Sequence, residues 1–215
     1  MKKKNNLSTE EKVISAAMKE FAEYGFAGAR VDSIAERAKI NKAMIYYYFK
    51  SKESLYERIL KDITDDIYRQ VKETAVAEGE PVEVLYSVIN RYFKMLGSFD
   101  RDIFRIMLRE LASGGKHFRK IAIPNLVVPI LSIIEPVFKS GIEKGKFRDL
   151  DPYYTFLQII GGIIFFNVIK IPMEGSVLEK TVLKENYSEK FRENFISIIK
   201  EGIEIKNGGG IVYER

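Results

Sequence analysis

The chain has no cysteine, no tryptophan, one histidine and six prolines among 215 residues. Without cysteine there can be no disulfide, no thiolate nucleophile and no cysteine-ligated zinc ribbon. His117 stands alone, with no carboxylate partner evident nearby in the sequence, so it reads as a solvated loop residue on which no metal site can be built. The phosphate loop GxxxxGK[ST], the HExxH pair and the GxSxG elbow are also missing. An enzyme is therefore not expected, and no cofactor is implied. The opening MKKKNNLSTEEK has lysines but no apolar stretch behind them, so it is not a signal peptide. The most apolar run, FLQIIGGIIFFNVIKI at 156–171, is shorter than the roughly 20 residues of a bilayer span and contains Gln158, Asn167 and Lys170. It reads as a core or interface helix of a cytoplasmic protein with no membrane partner.

What the chain does have is helical periodicity almost throughout, giving an all-α expectation. Ser8 and Glu11 form a capping box for a first helix whose apolar face is Ile14, Ala17, Met18 and Phe21, and Gly25 ends it. A fourth helix starts after Ser51, shows Tyr56, Ile59, Leu60 and Ile63 on one face, and runs to about Ala77 before AEGEP breaks it. Pro81 opens a fifth helix over 82–97, and a sixth covers 100–113 up to Gly114 and Gly115. Between His117 and Lys144 the prolines at 124, 129 and 136 predict a break near 124 and a kink near 136. Asp151 and Pro152 start a helix that runs to about Ile171, and a last helix spans about Ser188 to Lys206. The tail NGGGIVYER is expected to fray or dock loosely.

Residues 30–52, RVDSIAERAKINKAMIYYYFKSK, carry the functional signal. Val31, Ile34, Ala35 and Ala38 make one helical stripe, and Ile45 and Phe49 make a second after a short polar turn. Asn41 is a good N-cap for the second helix, which starts near Lys42. IYYYF has strong β-propensity, but the cap and the stripes on both sides favour a helix. Burying Ile45 and Phe49 then turns Lys42, Ala43, Tyr46 and Tyr47 to solvent, and Tyr46 and Tyr48 are not both expected to be equally exposed. Arg30, Arg37, Lys39, Lys42, Lys50 and Lys52 stand against Asp32 and Glu36, a net +4 in a chain whose total is +5. Charge concentrated in this way attracts phosphate.

These strings, EFAEYGF, VDSIAERAKI and NKAMIYYYFKSKESLY, make the first sixty residues resemble the DNA-binding domain of the TetR family of bacterial and archaeal transcriptional repressors. Lys39 stands where the family commonly has a turn glycine, and Asn41 where it commonly has serine. The resemblance implies an N-terminal three-helix helix-turn-helix domain, 1–52, joined through a long fourth helix to a C-terminal helical ligand-binding and dimerisation domain, 53–215.

On this reading Lys42, Ala43, Met44 and Tyr47 face base edges in the major groove beside the capping Asn41. Tyr46, Tyr48, Arg30 and Lys52 hold phosphates, with Lys52 in the first turn of the fourth helix. Lys2, Lys3 and Lys4 read as a solubility run ahead of a DNA-reaching arm. One short helix reads too few bases for a useful operator, so a homodimer on a palindromic double-stranded DNA operator is expected.

The dimer surface is expected on the last two long helices, from Ile160, Gly161, Gly162, Ile164, Phe165, Val168, Phe191, Phe195 and Ile198; the family's four-helix bundle implies the same place. The resemblance also implies a small-molecule effector enclosed by the middle helices. Tyr92, Leu96, Phe104, Met107, Leu108, Ile130 and Ile134 are the candidate lining, although residues at this spacing also serve as plain core. Few ionisable groups interrupt these stripes, so the effector is expected to be apolar or aromatic. Asn167, alone in an apolar run, is either a ligand contact or an interface hydrogen bond. The function expected is a ligand-released repressor in which the fourth helix tilts and separates the recognition helices from one turn of DNA. A non-allosteric DNA-binding protein or activator without effector is the alternative.

Overall fold

A computed structural model describes residues 7–75 and 79–205. The N-terminal lysines, the end of the fourth helix near Ala77 and the glycine-rich tail lie outside these residues.

Helix α1 (Thr9–Gly28) begins at the expected capping box, where the Glu11 N–H donates to Ser8 Oγ at 3.2 Å and the Ser8 N–H to Glu11 Oε2 at 2.7 Å. Its buried side is Val13, Ala16, Ala17 and Phe21. The stripe is thus rotated from the expected one, with Ile14 and Met18 half-buried at its edge. Gly25 does not end the helix but kinks it at φ +69°. The Ala22 and Glu23 carbonyls that this kink leaves open accept from the Arg109 guanidinium at 2.9 and 2.8 Å. Arg109 belongs to α6 (Arg101–Ala112), which packs on α1.

Helices α2 (Val31–Ala38) and α3 (Lys42–Phe49) form as the sequence predicts. Between them Lys39 is left-handed at φ 55°, ψ 47°, where its N–H bonds Glu36 O and the Ile40 N–H bonds Ala35 O. A glycine-type helix end is therefore made by lysine, at a steric cost of roughly 1 kcal/mol. Helices α4 (Lys52–Ala75) and α5 (Pro81–Ser98) follow near their expected starts.

The expected break at Pro124 is absent. Residues Phe118–Val127 wind as a π-helix straight through Pro124 into α7 (Val128–Glu143), which in turn runs through Pro136. The Val128 N–H reaches back five residues to Ile123 O. A proline lacks a donor and collides with the carbonyl four residues earlier, and the wider π turn shifts the bonding register around that conflict. Helix α8 (Pro152–Met173) starts at Asp151, whose side chain accepts from the Tyr153 and Tyr154 N–H groups at 2.9 Å each. A short α9 (Glu179–Val182) was not foreseen, and α10 (Tyr187–Ile203) closes the described chain. An antiparallel bridge, Phe147 with Glu204, and no strand occurs among the described residues.

The length argument against a membrane span does not hold, because the run at 156–171 lies in a 22-residue helix and residues 118–143 form a second helix of sufficient length and apolarity. One stripe of α8, Phe156, Ile159 and Ile163, is buried where the helix packs with α5, while Leu157, Ile164 and Phe165 stay exposed.

Two compact units emerge: Met1–Tyr68 with Phe99–Val128, and Arg69–Ser98 with Pro129–Arg215. The first is larger than the 1–52 segment marked off by sequence, since α6 and the π segment cluster with the N-terminal helices. Its centre includes Phe21, Ile34, Ile45, Leu55 and Tyr56, all buried. In the second unit, Gly141 of α7 lies directly under the Phe147 ring, so that a Cβ would sit 2.1 Å from Phe147 Cδ2. The ring is itself buried against Phe138 at 5.5 Å and cannot move aside. Gly141→Ala is expected to destabilise the protein by about 3 kcal/mol in urea unfolding, at the upper end of overpacking costs; a loss below about 1 kcal/mol would show that Phe147 yields freely.

Candidate nucleic-acid interface

Eight residues make α3, and only Ile45 and Phe49 are buried. At about 100° per residue these two define a stripe; Tyr46 and Tyr48 fall about 80° to either side, and Tyr47 points opposite. The three tyrosines are accordingly 44, 77 and 39% exposed. The expectation that Tyr46 and Tyr48 differ in exposure is wrong, because they flank the stripe symmetrically. Tyr47 and Tyr48 meet edge to face at 5.2 Å, which props the Tyr47 ring outward.

Asn41 caps α3 through its side-chain oxygen, which accepts from the Ala43 N–H at 2.8 Å. Lys42 and Ala43 are exposed beside it and Met44 is half-buried. The Lys42 ammonium pairs with Asp32 Oδ1 at 2.8 Å, and this partner raises its pKa, so the lysine stays charged. Both groups are largely in solvent, and such a pair is readily exchanged for a phosphate or base edge. Arg30 is exposed at the start of α2, with its backbone N–H held by Glu20 at 3.2 Å. Buried Glu20 also pairs with Arg37 at 3.0 Å, which locks α2 onto α1. An open cleft of about 390 Å³ runs past Arg30, Ser33 and Arg37.

Lys52 behaves differently from the phosphate ligand expected of it. Its ammonium donates to the Ala29 and Ala27 carbonyls at 3.1 and 3.5 Å and lies 4.8 Å above the Phe26 ring, tying α4 to the end of α1. Lys50, counted in the basic patch but given no contact of its own from the sequence, is exposed just after α3 at φ 63°. Its place immediately after the tyrosines was the available signal.

The candidate effector residues are divided between the two compact units. Tyr92, Leu96, Ile130, Ile134 and Asn167 belong to the second compact unit and are buried, whereas Phe104, Met107 and Leu108 belong to the first, with Leu108 exposed. Tyr92 meets Phe156 edge to face at 6.0 Å, and burial pushes its phenol far up, so it is neutral. Asn167 donates to Ile163 O and accepts from Lys170, both at 2.9 Å, which satisfies it within α8.

The candidate dimer residues separate by face. Phe191 stacks on Phe166 at 3.6 Å and Phe195 closes over Gly162, where a Cβ would come within 2.7 Å, so α8 and α10 pack on each other within one chain. Phe165 and Ile198 face away at 65 and 61% exposure, with Ile164 and Gly161 also exposed and Ile160 and Val168 half-buried between the two faces.

His117 is the clearest correction. It is buried, not solvated, between the rings of Phe26 and Tyr56 at 4.6 and 5.0 Å. Its Nδ1 lies 3.2 Å from Glu110 Oε2, a carboxylate oxygen that also accepts from the Tyr56 hydroxyl at 3.1 Å. Glu110 Oε1 accepts the backbone N–H groups of His117 and Phe118 at 2.7 and 3.2 Å. Burial pushes the Glu110 carboxyl up, but these donors outweigh it and hold it below the usual carboxylate range. Glu53 and Glu57 approach from α4, so the view that nothing near His117 could hold a metal also fails.

The family model described as bacterial regulatory proteins, tetR family, matches residues 13–59, which cover most of α1 and run through α3 into α4. A Bacillus subtilis (strain 168) protein described as a probable HTH-type transcriptional regulator, YttP, is 30% identical over 155 residues, 71% of this chain and 74% of that protein. The HTH-type transcriptional regulator RutR of Escherichia coli (strain K12) is 27% identical over 197 residues, 89% of this chain and 88% of its own. In fold, the chain is similar to FadR from Bacillus subtilis in complex with stearoyl-CoA, with TM-score 0.68 at 22% identity over 89% of this chain and 97% of that one.

Proposed function

This chain belongs to the tetR family of bacterial regulatory proteins, and from that premise we propose that it is a cytoplasmic homodimeric repressor that grips a palindromic operator through α3 and leaves it when an apolar ligand binds. The chain is a DNA-binding transcriptional regulator; its family and relatives are regulators rather than enzymes. The observation that carries the specific reading is the outward face of α3, where Tyr46, Tyr47 and Tyr48 are exposed around a two-residue buried stripe. A soluble protein leaves three adjacent aromatics in water only where they meet something, and a helix with this face fits the major groove.

Tyr47 with Lys42, Ala43 and Met44 reads base edges; Tyr46, Tyr48, Arg30 and Lys50 touch phosphate, and Lys52 positions α4 instead of binding DNA. We keep 1–52 as the DNA-binding segment and 53–215 as the segment for effector and partner. Dimerisation, typical of the family, would use the outward face of α8 and α10 with Phe165, Ile164 and Ile198, while Phe191, Phe195 and Gly162 support it from within. Two copies of α3 then meet half-sites one turn apart, about 34 Å. Tyr92, Leu96, Ile130 and Ile134 are the effector lining retained from the larger set. Stearoyl-CoA, bound by FadR, carries a long apolar acyl chain of the kind that these buried apolar side chains suit.

Selection of bound fragments from a random DNA pool is expected to return a palindrome, with binding lost when the cognate ligand is added. An asymmetric motif, or a monomer by light scattering at micromolar concentration, refutes the dimer. A ligand that binds yet leaves operator affinity unchanged refutes the coupling.

A further inference from the structure

The imidazole of His117 is almost entirely buried, and its Nε2 has no hydrogen-bond partner. The other ring nitrogen faces Glu110, which the Tyr56 hydroxyl and the His117 and Phe118 N–H groups, three donors, keep ionised and therefore an acceptor only. Nδ1 must then carry the proton, which leaves a lone pair on Nε2 in the neutral ring. Glu53 Oε1 lies 3.5 Å from Nε2, longer than an ordinary hydrogen bond. Two electron-rich atoms this close repel each other unless something positive is shared between them, and only the His117 side of the pair is buried.

Glu57 completes the arrangement one turn along α4, and one ligand atom from each of Glu53, Glu57 and His117 lies within 4.8 Å of the others. Donors about 2.1 Å from a shared tetrahedral ion are about 3.4 Å apart, so the carboxylate ends need to close by up to about 1.4 Å, within reach of a glutamate side-chain rotation. The geometry points to a binding site for one divalent transition-metal ion, of the zinc or manganese kind, held by His117 Nε2 and the carboxylates of Glu53 and Glu57, with Glu110 orienting the imidazole from behind. A carboxylate behind a metal-bound histidine is the usual way its tautomer and direction are set.

Two cations already attend the carboxylates: Lys116 bonds Glu53 at 2.9 Å and Lys120 bonds Glu57 at 2.6 Å. Both lysine side chains are more than half exposed and can swing into water when an ion replaces them. The ion would fasten the first two turns of α4, the helix next after the DNA-reading α3, to the residue from which the π segment starts.

The chain's composition makes the test clean, because no cysteine and no second histidine exist to compete. Full-length protein freed of any histidine tag and treated with chelator is titrated with zinc and with manganese by calorimetry, while the ring 15N signals of the single histidine are followed with zinc. One ion per chain is expected, with a large displacement of the Nε2 resonance. E57Q, which keeps the size of the side chain and removes its charge, and H117Q should each weaken binding at least tenfold. Should H117Q fail to fold, E57Q and the ring signals decide alone. An Nε2 that is already protonated in ion-free protein and ignores stoichiometric zinc overturns the site, since a proton shared with Glu53 then fills the gap. Equal affinity in wild type and E57Q also overturns it.

Discussion

Tyr47→Ala should weaken operator binding at least about 30-fold while leaving binding to unrelated duplex nearly unchanged. A good contact to a base edge discriminates by about 1–3 kcal/mol, and a dimer loses it at both half-sites. Tyr47 is the most exposed of the three α3 tyrosines and carries no charge. Non-specific affinity, which is set by phosphate neutralisation, has no reason to fall with it, and the salt slope should stay put. Lys42→Ala, at another base-reading position, should likewise cost specific binding more than non-specific binding, and it also frees Asp32 to repel the backbone. Tyr47→Phe separates ring from hydroxyl: affinity retained means that the ring packs against a thymine methyl or sugar, and affinity lost means that the hydroxyl bonds. If gel shifts show Tyr47→Ala losing specific and non-specific binding equally, the tyrosine is not a base reader.

Glu110→Ala should be the most damaging single substitution in the first compact unit, at about 3–5 kcal/mol, the cost of breaking a buried charged network by deleting one partner. The Tyr56 hydroxyl, two backbone N–H groups and the His117 ring nitrogen all lose their acceptor at once, and Tyr56, Glu110 and His117 are all buried. Burial and the adjacent carboxylate both push the Tyr56 phenol up, so it cannot escape by ionising. Glu110→Gln should cost less, because Tyr56 and His117 can turn lone pairs toward the new NH2.

The pH dependence separates the two causes. Since the folded carboxyl is depressed, its contribution to stability is complete above the unfolded value of about 4.3 and disappears as the pH falls through the folded one. Urea midpoints of wild type and Glu110→Gln should therefore differ most near neutrality and converge in acid. Parallel curves down to the acid limit would mean that shape, not charge, makes Glu110 important.

Much of this could be read along the chain because it depends on near neighbours. The capping box at Ser8, the Asn41 cap, the stripe of Ile45 and Phe49 and the Asp151 start of α8 each involve residues within four positions of each other, and each formed as expected. The outward tyrosines follow from the same local geometry. Even the missing glycine at Lys39 was visible, with its positive φ as the consequence.

What went astray depended on distant partners. Lys52 looks like a phosphate ligand until carbonyls 23 and 25 residues back take its ammonium. His117 looks solvated until Glu53, 64 positions earlier in the chain, and the rings of Phe26 and Tyr56 enclose it. Phe191 and Phe195 read only as interface until Phe166 and Gly162 pack on them within the chain and leave them half-buried. Helix, cap and exposed face are set by torsions and spacings that a short window contains. Burial, tautomer and the commitment of a charge depend on which side chains long-range packing brings within a few ångströms, and no local pattern carries that.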